Sequence, residues 1–562
     1  MMKPIKPHLS DQLTISSLIK RIALFLTAVA ALLCLSGCSL GRPDRLSQEA
    51  DASDARTAHF LRITGQEPDT GDPQCTSEEF DIALNVFDRL IEIELDEERT
   101  PSFVPSLAKS WEISEDGLVY TFHLCEDVVF SNGSPLTASD VEYTLIRALT
   151  HPDSECEDIG IFIVGAEELQ AGKAEQLVGF NALSDLDFTL TLTEPNAALL
   201  ATLSTPCASI LDAETTTQAG DAFGIDPTVT IGTGPFIFSE WNHGTDLTLT
   251  ANPDCWSGAP GCDGILMQFV TDSEAKRLMF EDGRLDILDL EELGPDAEYF
   301  MHGDIYQDQL SHGTRVGLSY IALNESIQPL DDVRIRRALQ LALDRRAILM
   351  NIYSGRGSIE NGIFPHGLIG YNPDLPEIPY DPEAARTLLA EAGYPDGFDL
   401  VITANAETPS LTEIMRLAAY MWEQIGVHAT IEEMSRDDFL TLRKNGRIAC
   451  YAGKFSVDYY DPDSMIYIFF GELANSRSRS LYYEREEIID RVYSACNITD
   501  EDSRIKEYQE LERIIVHEDC AWIPLFSNEH YFVVSERVKN FEVSWNGWTN
   551  TKYRDVVINP AE

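Results

Sequence analysis

Apolar and polar residues alternate along "HFLRITG" (59–65), which predicts an opening strand. "LVYTFHLCEDVVF" (118–130) reads as a pair of strands, and "LTASDVEYTLIRAL" (136–149) as the helix that follows. Thr137 stands at the capping position of that helix, with Asp140 three residues on at its electropositive end. "DFTLTLTEP" (187–195) alternates strictly, as a half-buried strand does. "GTGPFIFSEWNHGTDLTLTANP" (232–253) predicts a hairpin: a Gly-rich turn, a strand, a His-Gly turn and a second strand.

Past residue 330 the period changes. "DDVRIRRALQLALDRRAIL" (331–349) predicts one capped amphipathic helix. "DPEAARTLLAEAG" (381–393) has Asp at the N-cap, Pro at the first helical position and Gly at the C-terminal cap. "FDLVITAN" (398–405) and "VHATIEEM" (427–434) read as strands. Helices "LTEIMRLAAYMWEQIG" (411–426) and "RDDFLTLRKNG" (436–446) follow them. Strands alternating with helices imply a mixed or parallel sheet covered on both faces. The last strand-rich stretch, "WIPLFSNEHYFVVSERVKNFEVSW" (522–545), predicts that the chain returns to its first half. The fold class is therefore α/β, a β-rich first half joined to an α/β second half.

Length fits two or three domains, since 562 residues exceed what one core serves. The formal charge of −53 repels phosphate backbones and anionic headgroups, which excludes nucleic acid as a partner. Otherwise such acidity reads as a solvated surface.

At the N-terminus, Lys3, Lys6, Lys20 and Arg21 precede an apolar run from Ile22 to Leu35 that is too short to span a bilayer comfortably. It ends in "LSGC", a small-residue box resembling a bacterial lipobox, in which cleavage leaves Cys38 to carry a diacylglycerol. Residues 1–37 then form a lipoprotein signal peptide and 38–56 a polar, flexible tether reaching roughly 20–25 Å. Nine cysteines remain, an odd number, so at least one is free or unusually paired. Cys255 and Cys262 bracket "WSGAPG", a turn-forming loop, and are the expected disulfide, with a contribution of roughly 2–3 kcal/mol.

Local catalytic signatures are missing. "HEDCA" (517–521) lacks the second His of H-E-x-x-H, and there is no G-x-S-x-G, phosphate-binding glycine loop or EF-hand loop. The 11 His are scattered, and His123 reads as a packed polar residue in a strand. No enzyme activity, cofactor or metal is expected.

Six stretches, in order, carry a resemblance: "PSLAKSWEISEDGLVYTFHL" (105–124), "VVFSNGSPLTASDVEYTLIRAL" (128–149), "IGTGPFIFSEW" (231–241), "YIALNESIQPLDDVRIRRALQLALDR" (320–345), "YDPEAARTLLAEAGYPDGF" (380–398) and "WIPLF" (522–526). With them the chain resembles the family 5 extracellular solute-binding proteins, the oligopeptide- and dipeptide-binding lipoproteins of bacterial ABC importers. The resemblance implies a periplasmic-binding-protein-like fold (type II, large variant): two lobes joined by a hinge, with ligand trapped between them. Lobe I would span 57–310 with an inserted subdomain at about 101–225, lobe II 311–528, and 529–562 would return to lobe I. It also implies a monomer, anchored by its lipid to the outer face of the cell membrane, that passes short peptides to the permease transmembrane subunits.

"GKFSVDYYDPDSM" (453–465) sets a carboxylate inside an aromatic, strand-like run. Asp458 reads as a turn acid, as part of a D-x-x-D-x-D metal site, or as an anchor for a cation. The resemblance implies the anchor, holding a peptide's α-ammonium. A carboxylate among apolar neighbours is costly without a partner, and an amine restores one. Phe455, Ser456 and Val457 would offer main chain to the peptide as an added strand, with Phe455 an aromatic wall. Asp461 and Asp463, flanking Pro462, read as a solvated turn. The peptide carboxylate needs a cation, for which Arg443 matches a family position and Arg436 and Lys454 are further candidates. Thr76, Ser77 and Asn528 match cleft positions of the opposite lobe. Nickel chelates, oligosaccharides, opines or haem are the alternative cargoes on the same scaffold. An exported hydrolase or sensor, and an adhesin, are readings from other classes.

Overall fold

Leu61 and Ile63, the alternate residues of strand Phe60–Gly65, are buried, and that strand edges a four-stranded sheet. Its order continues through Gly264–Phe269, Asp246–Ala251 and Phe236–Asn242. The last two are the expected hairpin, paired antiparallel. Under this sheet pack Phe532, Val538, Val543, Tyr553 and Val556. These C-terminal residues therefore share the core of the first sheet. These features belong to a computed structural model describing residues 57–76, 79–96, 100–160, 162–303, 305–547 and 551–559. The signal peptide, the tether with Cys38, and Ser77 lie outside the described residues.

A second, antiparallel sheet runs Ala108–Ile113, Val119–Leu124, Asp187–Thr191, Phe180–Ala182. Only Val119–Leu124 of the expected strand pair forms; Val129 makes a single bridge to Pro135. Phe122, Phe188 and Phe180 stack across neighbouring strands at 5.2 and 5.0 Å. Helix Ala138–Thr150 buries Ala138, Val141, Leu145 and Ala148 on one face at three- and four-residue spacings. The Thr137 N–H donates to Asp140 Oδ2 at 2.9 Å, closing the predicted cap.

Cysteine pairing differs from expectation. The disulfide joins Cys156 to Cys207, while Cys255 and Cys262 are buried free thiols. The Cys255 sulfur turns to the Thr233 carbonyl and Ser257, and that of Cys262 to the Gly264 carbonyl. With the two sulfurs aimed at different groups, the pair is not bridged.

The third body is a mixed sheet: Ile287–Asp289, Trp522–Val534, Gly317–Leu323, Cys450–Ser456, Phe398–Asn405, Val427–Met434. Phe398–Asn405 and Val427–Met434 pair in parallel over eight positions. Every residue of Gly317–Leu323 is buried, because both faces of the sheet are covered. Leu318, Tyr320 and Ala322 join the core under helices Asp463–Phe470, Glu486–Ala495 and Glu501–Glu512. Ile321 and Leu323 join the opposite core with helices Val333–Leu341, Pro382–Glu391 and Pro409–Glu423. The expected single helix over 331–349 is two, Val333–Leu341 and Arg345–Tyr353. The Asp344 side chain accepts from the Ala347 N–H and starts the second helix, as Asp332 starts the first.

Trp522–Val534 runs along this whole sheet and pairs with different strands at its two ends. Trp522 to Phe526 pair with Gly317–Leu323, and Glu529 to Val534 pair with Leu310–Thr314 and Ile287–Asp289. Pro524, which cannot donate, sits where the register with Ser319 and Tyr320 shifts. Elsewhere the two halves touch where the Ala197 N–H donates to the Cys496 carbonyl at 3.0 Å and Asn497 Nδ2 to Glu194 Oε2 at 3.2 Å.

Candidate functional site

Strand Cys450–Ser456 pairs with Gly317–Leu323 at all seven positions on one side. On its other side it meets Phe398–Asn405 at one pair only, Ile402 with Cys450. The two strands then diverge. From Tyr451 to Ser456 the outer edge has no strand partner among the described residues, and an extended main chain can pair there. A pocket opens beside this edge, lined by Ala404, Asn405, Thr408 and residues 451–454. Gly453 is required here: a Cβ on it would stand 2.4 Å from the Tyr320 ring.

Helix Arg436–Lys444 forms another wall. Arg436, Phe439, Leu440 and Arg443 recur at the three- and four-residue spacing of one helix face, and all four line the pocket. Arg443 Nε is buried without a hydrogen-bond partner. Arg479, just past helix Leu473–Ser478, brings a further guanidinium that lies 5.9 Å over the Phe455 ring and 5.0 Å over Phe469. Lys454 lines the same pocket. Arg436, Arg443, Lys454 and Arg479 all line this recess, and no carboxylate is among its lining residues.

Lys454 ties the recess to Asn528. Its Nζ lies 3.8 Å from Glu291, whose carboxylate also takes Arg315 at 2.6 Å and the Asn528 amide at 2.6 Å. Burial acts to raise Glu291, but Lys454, Arg315, His530 and the Asn528 hydrogen bond together bring it down to about 2. Lys454 is pushed down to about 8, by burial first and then by Arg315, against the pull of Glu291 and Asp289.

Asp458 follows the strand. Its N–H is fixed by the Ser464 hydroxyl at 2.9 Å. Its carboxylate is open to solvent and makes no hydrogen bond or ion pair with any described residue. Protein nonetheless surrounds it closely enough to push its carboxyl up to about 6, with Arg479 pulling the other way. Asp461 and Asp463 differ from expectation, for both are buried rather than solvated. Arg504 holds Asp461 at 2.7 and 2.8 Å. The Tyr459 and Tyr508 hydroxyls donate to Asp463, which burial and the charge of Asp461 push up to about 6. With these two acids occupied in the core, Asp458 alone of the three faces solvent.

Among the predicted site residues, the structure gathers Arg436 and Arg443 in the recess. Phe455 and Asp458 adjoin it through Arg479, and Asn528 through Glu291 and Lys454. Ser456 ends the open edge. Val457 does not serve it: the side chain is buried and the N–H donates to the Val316 carbonyl. Thr76 is buried in the first half and does not line the recess. Sequence reasoning missed Arg479, Tyr320 and Glu291. Arg479 lies in "ANSRSRS", a polar run with no periodicity to single it out. Tyr320 had one usable signal, an aromatic on a strand opposite a lone glycine.

The family described as bacterial extracellular solute-binding proteins, family 5 Middle, matches residues 102–477. Heme-binding protein A of Haemophilus influenzae is 28% identical over 549 residues, 93% of this chain and 97% of that protein. The dipeptide-binding protein of Escherichia coli is 26% identical over 480 residues, 82% of this chain and 87% of that protein. Among solved structures, HbpA2 from Haemophilus parasuis superposes with a TM-score of 0.76 at 26% identity, over 89% of this chain and 99% of that one.

Proposed function

The chain belongs to the bacterial extracellular solute-binding proteins of family 5, and on that premise we propose that it captures short peptides between its lobes for an ABC importer. The observation that carries the peptide reading is the strand edge 451–456, open along one side and followed by the unpaired carboxylate of Asp458. The edge offers main-chain hydrogen bonds that any peptide sequence can use. Asp458 takes the peptide ammonium, and Arg443, Arg479 or Lys454 takes the carboxylate. Ligand favours closure by binding the closed lobes better than the open ones. The protein works as a binder and not as an enzyme.

Cys38 carries the lipid, 38–56 is the tether, and the binding unit acts as a monomer at the outer face of the membrane, delivering cargo to permease subunits. The lobes divide near residues 310 and 528, with an inserted subdomain at about 101–225.

Calorimetric titration of a tripeptide and of its N-acetylated twin tests the anchor. Free-amino peptide should bind roughly tenfold or more tightly than the acetylated one, and Asp458→Asn should erase the difference. Equal binding of the two peptides by the unmodified protein would remove Asp458 from the role.

Haem is the second reading. It is supported by the similarity to Heme-binding protein A over 93% of this chain and by a cationic recess that could take propionates. Against it, no His is among the residues lining the recess. A haem-specific absorption shift on titration, with no peptide binding, would favour it.

A further inference from the structure

The recess holds more positive charge than a simple peptide can use. One terminal carboxylate satisfies one cation, or two when bidentate. Three cations stand without a full partner. Arg443 has a buried Nε with nothing to donate to. Arg479 rests on the Phe455 and Phe469 rings and is in no ion pair with a described residue. Lys454 has only Glu291, 3.8 Å away and already bonded to Arg315 and Asn528. Arg436 is exposed and has a partner elsewhere, so it is not counted among them. Glu407, at the same helix end, is occupied by the Arg436 N–H at 3.1 Å.

This concentration runs against the chain as a whole, which has 94 acids to 41 bases. Like charges gathered in a partly desolvated recess repel one another and are retained only where something anionic joins them. We propose that the recess selects acidic short peptides, in which a Glu or Asp side chain adds a second carboxylate to the terminal one. The inference rests on the peptide reading above. Asp458 takes the ammonium at the strand end, one guanidinium takes the terminal carboxylate, and the remaining cations take the side-chain carboxylate. Basic peptides are disfavoured, because a second ammonium meets the same three cations.

The test uses the full-length protein and isosteric tripeptide pairs: Glu-Ala-Ala, Ala-Glu-Ala and Ala-Ala-Glu against the same peptides with Gln, and Ala-Lys-Ala. At least one Glu peptide should bind about tenfold more tightly than its Gln twin, and the gap should shrink as salt rises from about 50 to about 500 mM. Arg443→Gln or Arg479→Gln should reduce the ratio of Glu-peptide to Gln-peptide affinity severalfold, over and above any loss that both peptides share. If either variant fails to fold, judged by its melting curve, Lys454→Gln is read instead; the comparison on the unmodified protein needs no variant at all. Equal affinity of all Glu and Gln twins would overturn the inference and leave the peptide reading intact. No binding of any tripeptide would overturn both.

Discussion

Arg504 and Asp461 face each other as a buried ion pair at 2.7 and 2.8 Å, while the carboxylate of Asp458, three residues earlier, has no partner among the described residues. Two acids of one short segment therefore have opposite duties. Breaking the pair leaves a buried charge alone, so Asp461→Ala should lower stability by about 3–5 kcal/mol. Asp458→Ala should leave stability nearly unchanged and remove roughly 2–3 kcal/mol of affinity for free-amino peptides. Denaturant melts and calorimetry on the two variants separate the effects; a large stability loss at Asp458 would make it a structural acid.

The same carboxylate predicts a pH profile. Asp458 sits at about 6, above the ordinary carboxylate value, and must be ionised to hold an ammonium. Affinity should therefore rise by roughly tenfold between pH 5 and pH 7. Lys454, pushed down to about 8, loses its charge as pH rises further, and the peptide amine titrates near the same point, so affinity should fall above pH 8. Asp458→Asn should flatten the acid limb only. An acid limb of unchanged size in that variant would assign it to Asp463, which also sits at about 6.

Gly453→Ala should damage the recess from beneath. The new methyl would stand 2.4 Å from the Tyr320 ring, which is stacked on Trp522 at 4.5 Å. Overpacking of this kind costs about 1–3 kcal/mol. Peptide affinity should fall together with the melting temperature, and a variant of normal stability and affinity would show that Tyr320 can move.

Much of this architecture is legible in the sequence. Strands Phe398–Asn405 and Val427–Met434 end where their apolar pattern ends, because each carries one period and is bounded by Gly and turn residues. The break at Asp344 was hidden, since an Asp inside an amphipathic pattern reads equally as an exposed helical position. Asp461 looked solvated beside a proline because its partner Arg504 lies 43 residues on, in helix Glu501–Glu512. Arg443 and Asp458 are singled out only through the family resemblance, and Arg479 joins them only through the fold.

Disulfide geometry is the clearest case of a property settled in space. Non-reducing peptide mapping should find Cys156 linked to Cys207, with Cys255 and Cys262 alkylated singly once the protein is unfolded. Cys207→Ser should cost about 2–5 kcal/mol. A Cys255–Cys262 cross-link in the map would refute this pairing.

The most direct measurement of the central claim is native mass spectrometry of the full-length protein purified without denaturation, followed by identification of the released cargo. Peptide capture predicts a set of short peptides, mixed in sequence, narrow in length and enriched in Glu and Asp. A single non-peptide mass, such as a tetrapyrrole, would contradict it while leaving the fold and family intact.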